Sequence, residues 1–132
     1  MKKFLFYFLN FTWGIIMNIF GSIGAGVILA LGKKPVRHAG SIVCRIGHDW
    51  GGVSLGIFTF VCEESGQHTL DHEFGHSLQN AVYGPLFPFI VAIPSFTRYH
   101  LINANLIKVK NYDDIWFEGQ ATDWGAKTAK NW

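Results

Sequence analysis

Two histidines four residues apart, with a glutamate beside the first, carry the most specific chemistry in this chain: His72-Glu73-Phe74-Gly75-His76. On a helix, positions i and i+4 stack on one face. Both imidazoles can then reach one metal ion at about 2.0 to 2.1 Å, while the carboxylate leans toward the coordination position left open. Six histidines and four glutamates in 132 residues give such a pentapeptide a chance expectation of about 0.008, so it reads as the H-E-x-x-H zinc signature. The competing reading is a pair of structural histidines.

A catalytic zinc needs a third protein ligand and keeps a fourth position for water. The version of the motif that continues to a third histidine is excluded, because Gln79 and Val82 stand where it requires glycine and histidine. Glu118 is the only glutamate downstream. It lies in Trp116-Phe117-Glu118-Gly119-Gln120-Ala121, apolar enough to pack on a core, where a carboxylate needs a cation; a solvated surface glutamate is the alternative. Asp113 and Asp114 read as helix N-caps, and Asp123 as an acceptor for the far nitrogen of a ligand histidine. The expected site is therefore zinc on His72, His76 and Glu118, with Glu73 as the general base that activates water against a peptide carbonyl. The oxyanion donor is to be sought among Tyr99, His100, Arg98, Tyr83 and Tyr112, which spacing does not rank.

His72-Glu73-Phe74-Gly75-His76 followed by Trp116-Phe117-Glu118-x-x-Ala121 resembles the gluzincin type of zincin metallopeptidases. It is closer still to small membrane-associated zincin-like proteins, in which a hydrophobic N-terminus precedes H-E-[FY]-G-H and a late W-x-E-x-x-A helix. The resemblance covers roughly residues 41–125 and implies a short sheet over an active-site helix and a second helix bringing the glutamate. In well-known gluzincins an aspartate follows the ligand glutamate by four residues; here that place is Thr122, with Asp123 one further on.

The elements that must position these groups follow from periodicity. Residues 41–46 alternate loosely, and residues 53–62 form a β-rich run, read as two strands joined through 48–52. Thr69 is the expected N-cap of a helix carrying Leu70, Phe74, Leu78 and Val82 that stops at Gly84-Pro85. The apolar segment 85–96, broken by Pro88 and Pro94, is too short to span a bilayer and is expected to be buried or interfacial, ending at Thr97 to His100. A last helix begins near Asp113 or Asp114. The fold class expected is α+β: a minimal zincin-like core with a short antiparallel sheet, the H-E-x-x-H helix and a Glu-bearing helix, preceded by one transmembrane helix.

That transmembrane helix is drawn from composition. Charged residues are 15% of the chain against roughly 25% in an average soluble domain, and residues 4–31 contain none. Basic residues bound the stretch on both sides: Lys2 and Lys3 before it, Lys33, Lys34 and Arg37 after it. It exceeds the roughly 20 residues needed to cross a bilayer and lacks a cleavage site, so it reads as a retained single-pass anchor over 1–34. A metal-binding domain follows over 35–132. Flanking charge leans toward placing that domain on the cytoplasmic side. Asn10, Gly14, Asn18, Gly21 and Ala25 fall within about 80° of one another, a small and polar stripe suited to packing against a second copy or against the rest of the chain. A net charge of +2 excludes a nucleic-acid footprint, and Cys44 and Cys62 read as free buried thiols. The expected partners are a peptide or protein substrate near the membrane and the bilayer itself. The alternative function is a membrane-anchored zinc-binding adaptor or structural protein without hydrolytic activity.

Overall fold

The computed structural model describes residues 2–132. It is an α+β fold with five α-helices and one four-stranded sheet among the described residues. The charge-free N-terminal stretch forms two helices instead of one, α1 (Lys3–Phe11) and α2 (Ile15–Ala30), bent by 90°. This corrects the single transmembrane helix: no single helix among the described residues is long and apolar enough to cross a membrane. The bend has a physical cause. Thr12 turns its hydroxyl onto the Phe8 carbonyl at 2.7 Å, and Gly14 sits against Asn80, whose Nδ2 donates to the Gly14 carbonyl at 3.1 Å and to Asn10 Oδ1 at 2.7 Å. A Cβ at Gly14 would lie 2.6 Å from Asn80 Nδ2. Asn18 completes the cluster, donating to the Asn10 and Gly14 carbonyls and accepting from the Ile57 amide at 2.8 Å. The polar stripe of the N-terminus is thus buried against its own chain, where its amides find partners.

Four strands follow: β1 (Val36–His38), β2 (Ser41–Arg45), β3 (Gly52–Leu55) and β4 (Phe58–Val61), in spatial order β1-β2-β4-β3. The sheet is mixed, not antiparallel, because the β3–β4 hairpin folds back so that β4 lies parallel to β2. The run 53–62 is likewise two strands. Leu55 pairs with Phe58 across a two-residue turn whose first position, Gly56, has φ +68° and leaves no room for a Cβ beside Asn18.

The strands alternate between two covered faces. Cys44 and Phe60 meet Ala25 and Ile28 of α2, while Ser54 on the opposite face reaches Ser77 of α3 (Gln67–Tyr83) at 3.0 Å. Helix α3 begins at Gln67 with Gly66 at its N-cap and no side-chain cap, three residues before the expected N-cap Thr69. It carries Phe74, Leu78 and Ala81 into a core with Phe6 and Ile57. After Gly84 the apolar segment continues as a 3-10 turn, Gly84–Leu86, a π-helical turn, Pro88–Ala92, and α4 (Ile93–Asn103). Residues 97–100 are therefore mid-helix and do not end the segment. A 3-10 turn, Tyr112–Asp114, capped by Asn111, leads into α5 (Trp116–Ala129), which packs along α3. Both cysteines are buried and free.

Candidate metal centre

Helices α3 and α5 touch backbone to backbone because each has a glycine at the contact. A Cβ on Gly75 would stand 1.8 Å from the Ala121 carbonyl oxygen, and one on Gly125 would stand 1.7 Å from that of Asp71. This approach sets Glu118, in the first turn of α5, over the α3 face that bears His72 and His76. Glu118 Oε1 lies 3.0 Å from His76 Nε2 and 3.6 Å from His72 Nε2. Atoms sharing a tetrahedral ion with bonds of about 2.0 to 2.1 Å are separated by about 3.3 Å, which these two distances bracket.

His72, Glu73 and His76 also bring ligand atoms within 4.8 Å of one another, and this buried group can hold a metal ion. Glu73 Oε2 is fully buried with no hydrogen-bond partner, and Glu118 Oε1, equally buried, has the two imidazole nitrogens as its neighbours. An orphaned carboxylate oxygen costs several kcal/mol, of order, unless a cation or donor compensates it, so the donor set fits a cation.

The far ring nitrogens are occupied, which leaves each Nε2 facing Glu118. His76 Nδ1 donates to Gln79 Oε1 at 2.7 Å, and Gln79 Nε2 is held by the Phe117 carbonyl at 2.8 Å and by Gln120 Oε1 at 3.0 Å. His72 Nδ1 donates to Thr122 Oγ1 at 2.7 Å, and Thr122 passes its own hydrogen to Asp113 Oδ2 at 2.9 Å. Such partners fix ring tautomer and orientation. Glu118 Oε2 accepts from Ser95 at 2.9 Å.

Burial alone would raise the Glu118 carboxyl, but the imidazoles of His72 and His76 outweigh it and hold the group well below the usual carboxylate range. Glu73 goes the other way: burial pushes it up, and the two imidazoles only partly offset this. The two carboxyls of one site are driven apart by environment, a ready anion beside a more basic neighbour. Burial, then Glu118, keeps the Tyr112 phenol protonated far above its normal range.

Glu73, His76 and Tyr112 line a cavity of about 720 Å³ whose other walls are mostly apolar: Met17 of α2, Leu55 of β3, and Phe87 and Val91 beside α4. Strand β3 is one of the two sheet edges, and Gly52 lies so near Glu73 that a Cβ would be 3.1 Å from its Oε1.

The sequence-predicted residues separate into three groups. His72, Glu73, His76 and Glu118 come together. Tyr99 and His100 line the cavity, the Tyr99 hydroxyl accepting from the Gly51 amide at 3.3 Å. Arg98 does not line it: buried, it donates to the Tyr112 carbonyl at 2.6 Å and lies over that ring at 4.9 Å, so it holds Tyr112 in place. Tyr83 turns to Gln120 at 2.7 Å.

Asp123 is a correction. It is exposed and pairs with Lys127 at 3.0 Å, one position round the helix from the face that reaches His72. Thr122 occupies that face and relays to Asp113, which is therefore no simple N-cap; Asp114 alone closes the capping box with Asn111. Two of these supports leave a trace in sequence. Gln79 is three residues after His76 on the same helix, and Thr122 is four after Glu118. Ser95 has no such signal. Comparison with protein-family models, with curated proteins and with solved structures returns no match for this chain.

Proposed function

We propose that the protein is a zinc-dependent metallopeptidase of the gluzincin type, with His72, His76 and Glu118 as the metal-holding set and Glu73 as general base. The observation that carries this reading is the convergence of two Nε2 atoms and one ionised carboxylate oxygen beside a second carboxyl of raised basicity. Imidazole and carboxylate suit zinc, and zinc in such a set acts as a Lewis acid that makes water a nucleophile near neutral pH.

The chain's own groups supply the rest. Glu73, with an orphaned Oε2 at the cavity wall, accepts the proton of the attacking water and returns it to the leaving amine. Its raised basicity suits both transfers. Tyr112 stays protonated beside Glu118 and can donate its hydroxyl to a developing oxyanion, with Arg98 fixing the ring. The mostly apolar walls lower the polarity around these groups, which strengthens each of these interactions. The charge-free N-terminus and the exposed apolar helices support a site at a membrane, acting on peptide there.

The test pairs metal content with cleavage. Purified protein is expected to hold about one zinc per chain and to cleave peptides, while Glu73→Gln keeps the zinc and loses about 100-fold or more in rate. Stoichiometric zinc with no cleavage in a broad peptide library would replace this reading with the adaptor; no metal at all would remove both.

A further inference from the structure

Along the chain, the exposed apolar side chains of this protein are segregated together with its charge. Among the described residues, every exposed large hydrophobic except Val53 and Trp116 lies within residues 1–48 or 74–112. Those two segments contain no acidic residue and nine of the eleven basic ones. All nine acidic residues lie in the remainder. A soluble monomer rarely leaves so large an apolar surface bare, and a partner of opposite charge to Lys and Arg would be anionic.

The geometry limits how a bilayer can fit. Helix α1 has 9 residues and α2 has 16, the latter about 24 Å long, short of the roughly 30 Å hydrocarbon core. Along one side α2 is packed on the sheet: a Cβ on Gly21 would meet the Leu55 carbonyl oxygen at 2.3 Å, and Ala25 and Ile28 are buried on Cys44 and Phe60. The rest of its surface is exposed, with Ile16, Ile19, Phe20, Ile23 and Val27 on the opposite stripe and Leu29 beside the packed side. A helix packed on its own protein along one side and left bare and apolar along the other can bury the bare side in a bilayer without crossing it.

The same elements enclose the metal centre. Met17 of α2 meets Phe87 and Val91 in one core cluster, and all three wall the cavity. Ile93 and Phe96 of α4 line that cavity while being 56% and 64% exposed, so its mouth is rimmed by bare apolar side chains. We infer that α1, α2 and α4 dock in the plane of one leaflet of an anionic bilayer, and that the cavity opens toward the lipid, so that its occupant arrives laterally from the membrane. The bent N-terminal pair then anchors without crossing. Lys2, Lys3, Lys34 and Arg37 sit at headgroup level; Lys33 is already paired with Glu63. The inference concerns placement of the cavity and stands apart from whether the centre hydrolyses peptides.

The experiment uses the full chain and vesicles of phosphatidylcholine with or without phosphatidylserine. Because Cys44 and Cys62 are buried, an environment-sensitive fluorophore can be attached selectively to Phe96→Cys, to Lys127→Cys on α5, and to Lys2→Cys and Lys34→Cys at the two ends of the bent pair. The protein is expected to co-float with anionic vesicles, about tenfold more than with neutral ones at low salt. Brominated acyl chains should quench the label at 96 and not the one at 127. A membrane-impermeant reductant added outside should bleach labels 2 and 34 alike. Phe20→Glu with Phe89→Glu is expected to reduce floating about tenfold with bound metal unchanged. An unquenched label at 96, protection of one end only, which signals a span, or a dimer that ignores vesicles would each overturn the inference.

Discussion

The Thr122 hydroxyl stands between the His72 ring and the Asp113 carboxylate, with hydrogen bonds of 2.7 and 2.9 Å. A hydroxyl can accept from Nδ1–H and donate onward in the same instant, so a threonine and a distant aspartate do together what one carboxylate would do alone. Thr122→Val removes both bonds at nearly constant volume. It is expected to weaken metal binding about 10- to 100-fold in a competition titration, while Thr122→Ser retains most of the affinity and Asp123→Asn changes nothing measurable. Equal affinities for Val and Ser would show that the relay does not orient His72. On the other ring, Gln79→Leu should have an effect of similar size, since it strips the acceptor from His76 and two donor contacts to α5. Glu118→Ala goes further and is expected to abolish stoichiometric binding, because it removes the buried anion itself.

At the scale of elements, the centre exists because α3 and α5 approach closely. Gly75 occupies a variable position of the metal motif, yet its missing Cβ is what lets the Ala121 carbonyl reach α3. Gly75→Ala therefore pushes α5, and Glu118 with it, off the histidines. The expected cost is at least about 3 kcal/mol in chemical denaturation, with loss of the metal. Gly26→Ala is the contrasting change: it is helical and exposed, with nothing within 4 Å of a Cβ, so it should stabilise by about 0.5 to 1 kcal/mol. A destabilising Gly26→Ala would mean that the outer face of α2 is packed on something. The α1–α2 bend has its own lock, since Asn18 ties the Asn10 and Gly14 carbonyls of the turn to the Ile57 amide of the β3–β4 hairpin.

For the whole molecule, pH and metal act on stability in opposite senses. In the metal-free protein burial raises the Glu73 carboxyl; burial opposes the His76 imidazolium, but Glu118 and Glu73 outweigh it and raise that group too. A group raised on folding stabilises fully below its unfolded pKa and loses that contribution as pH climbs through its folded one. Glu118 is depressed, so its share is lost only as pH falls below the ordinary carboxylate range. Between about pH 5 and 8 the raised pair governs, and the melting temperature of chelator-treated protein is expected to fall as pH rises. Metal should reverse the slope, because binding displaces protons. A metal-free protein that melts higher at pH 8 than at pH 5 contradicts this assignment. The sequence by itself determined the His72-Glu73-His76 grouping on one helix, the α+β class and the apolar segments, because each rests on contacts within a turn or two or on composition; it singled out Glu118 as the one glutamate downstream. Only the tertiary structure decided the 90° bend, the parallel β2–β4 pairing, Thr122 in place of Asp123, and Arg98 behind Tyr112 instead of in the cavity. The bend is held by Asn80, 66 residues from Gly14, and His72 is steadied by Thr122, 50 residues away. Periodicity records which face of an element is apolar; which faces meet, and how closely, depends on all of the elements packing at once.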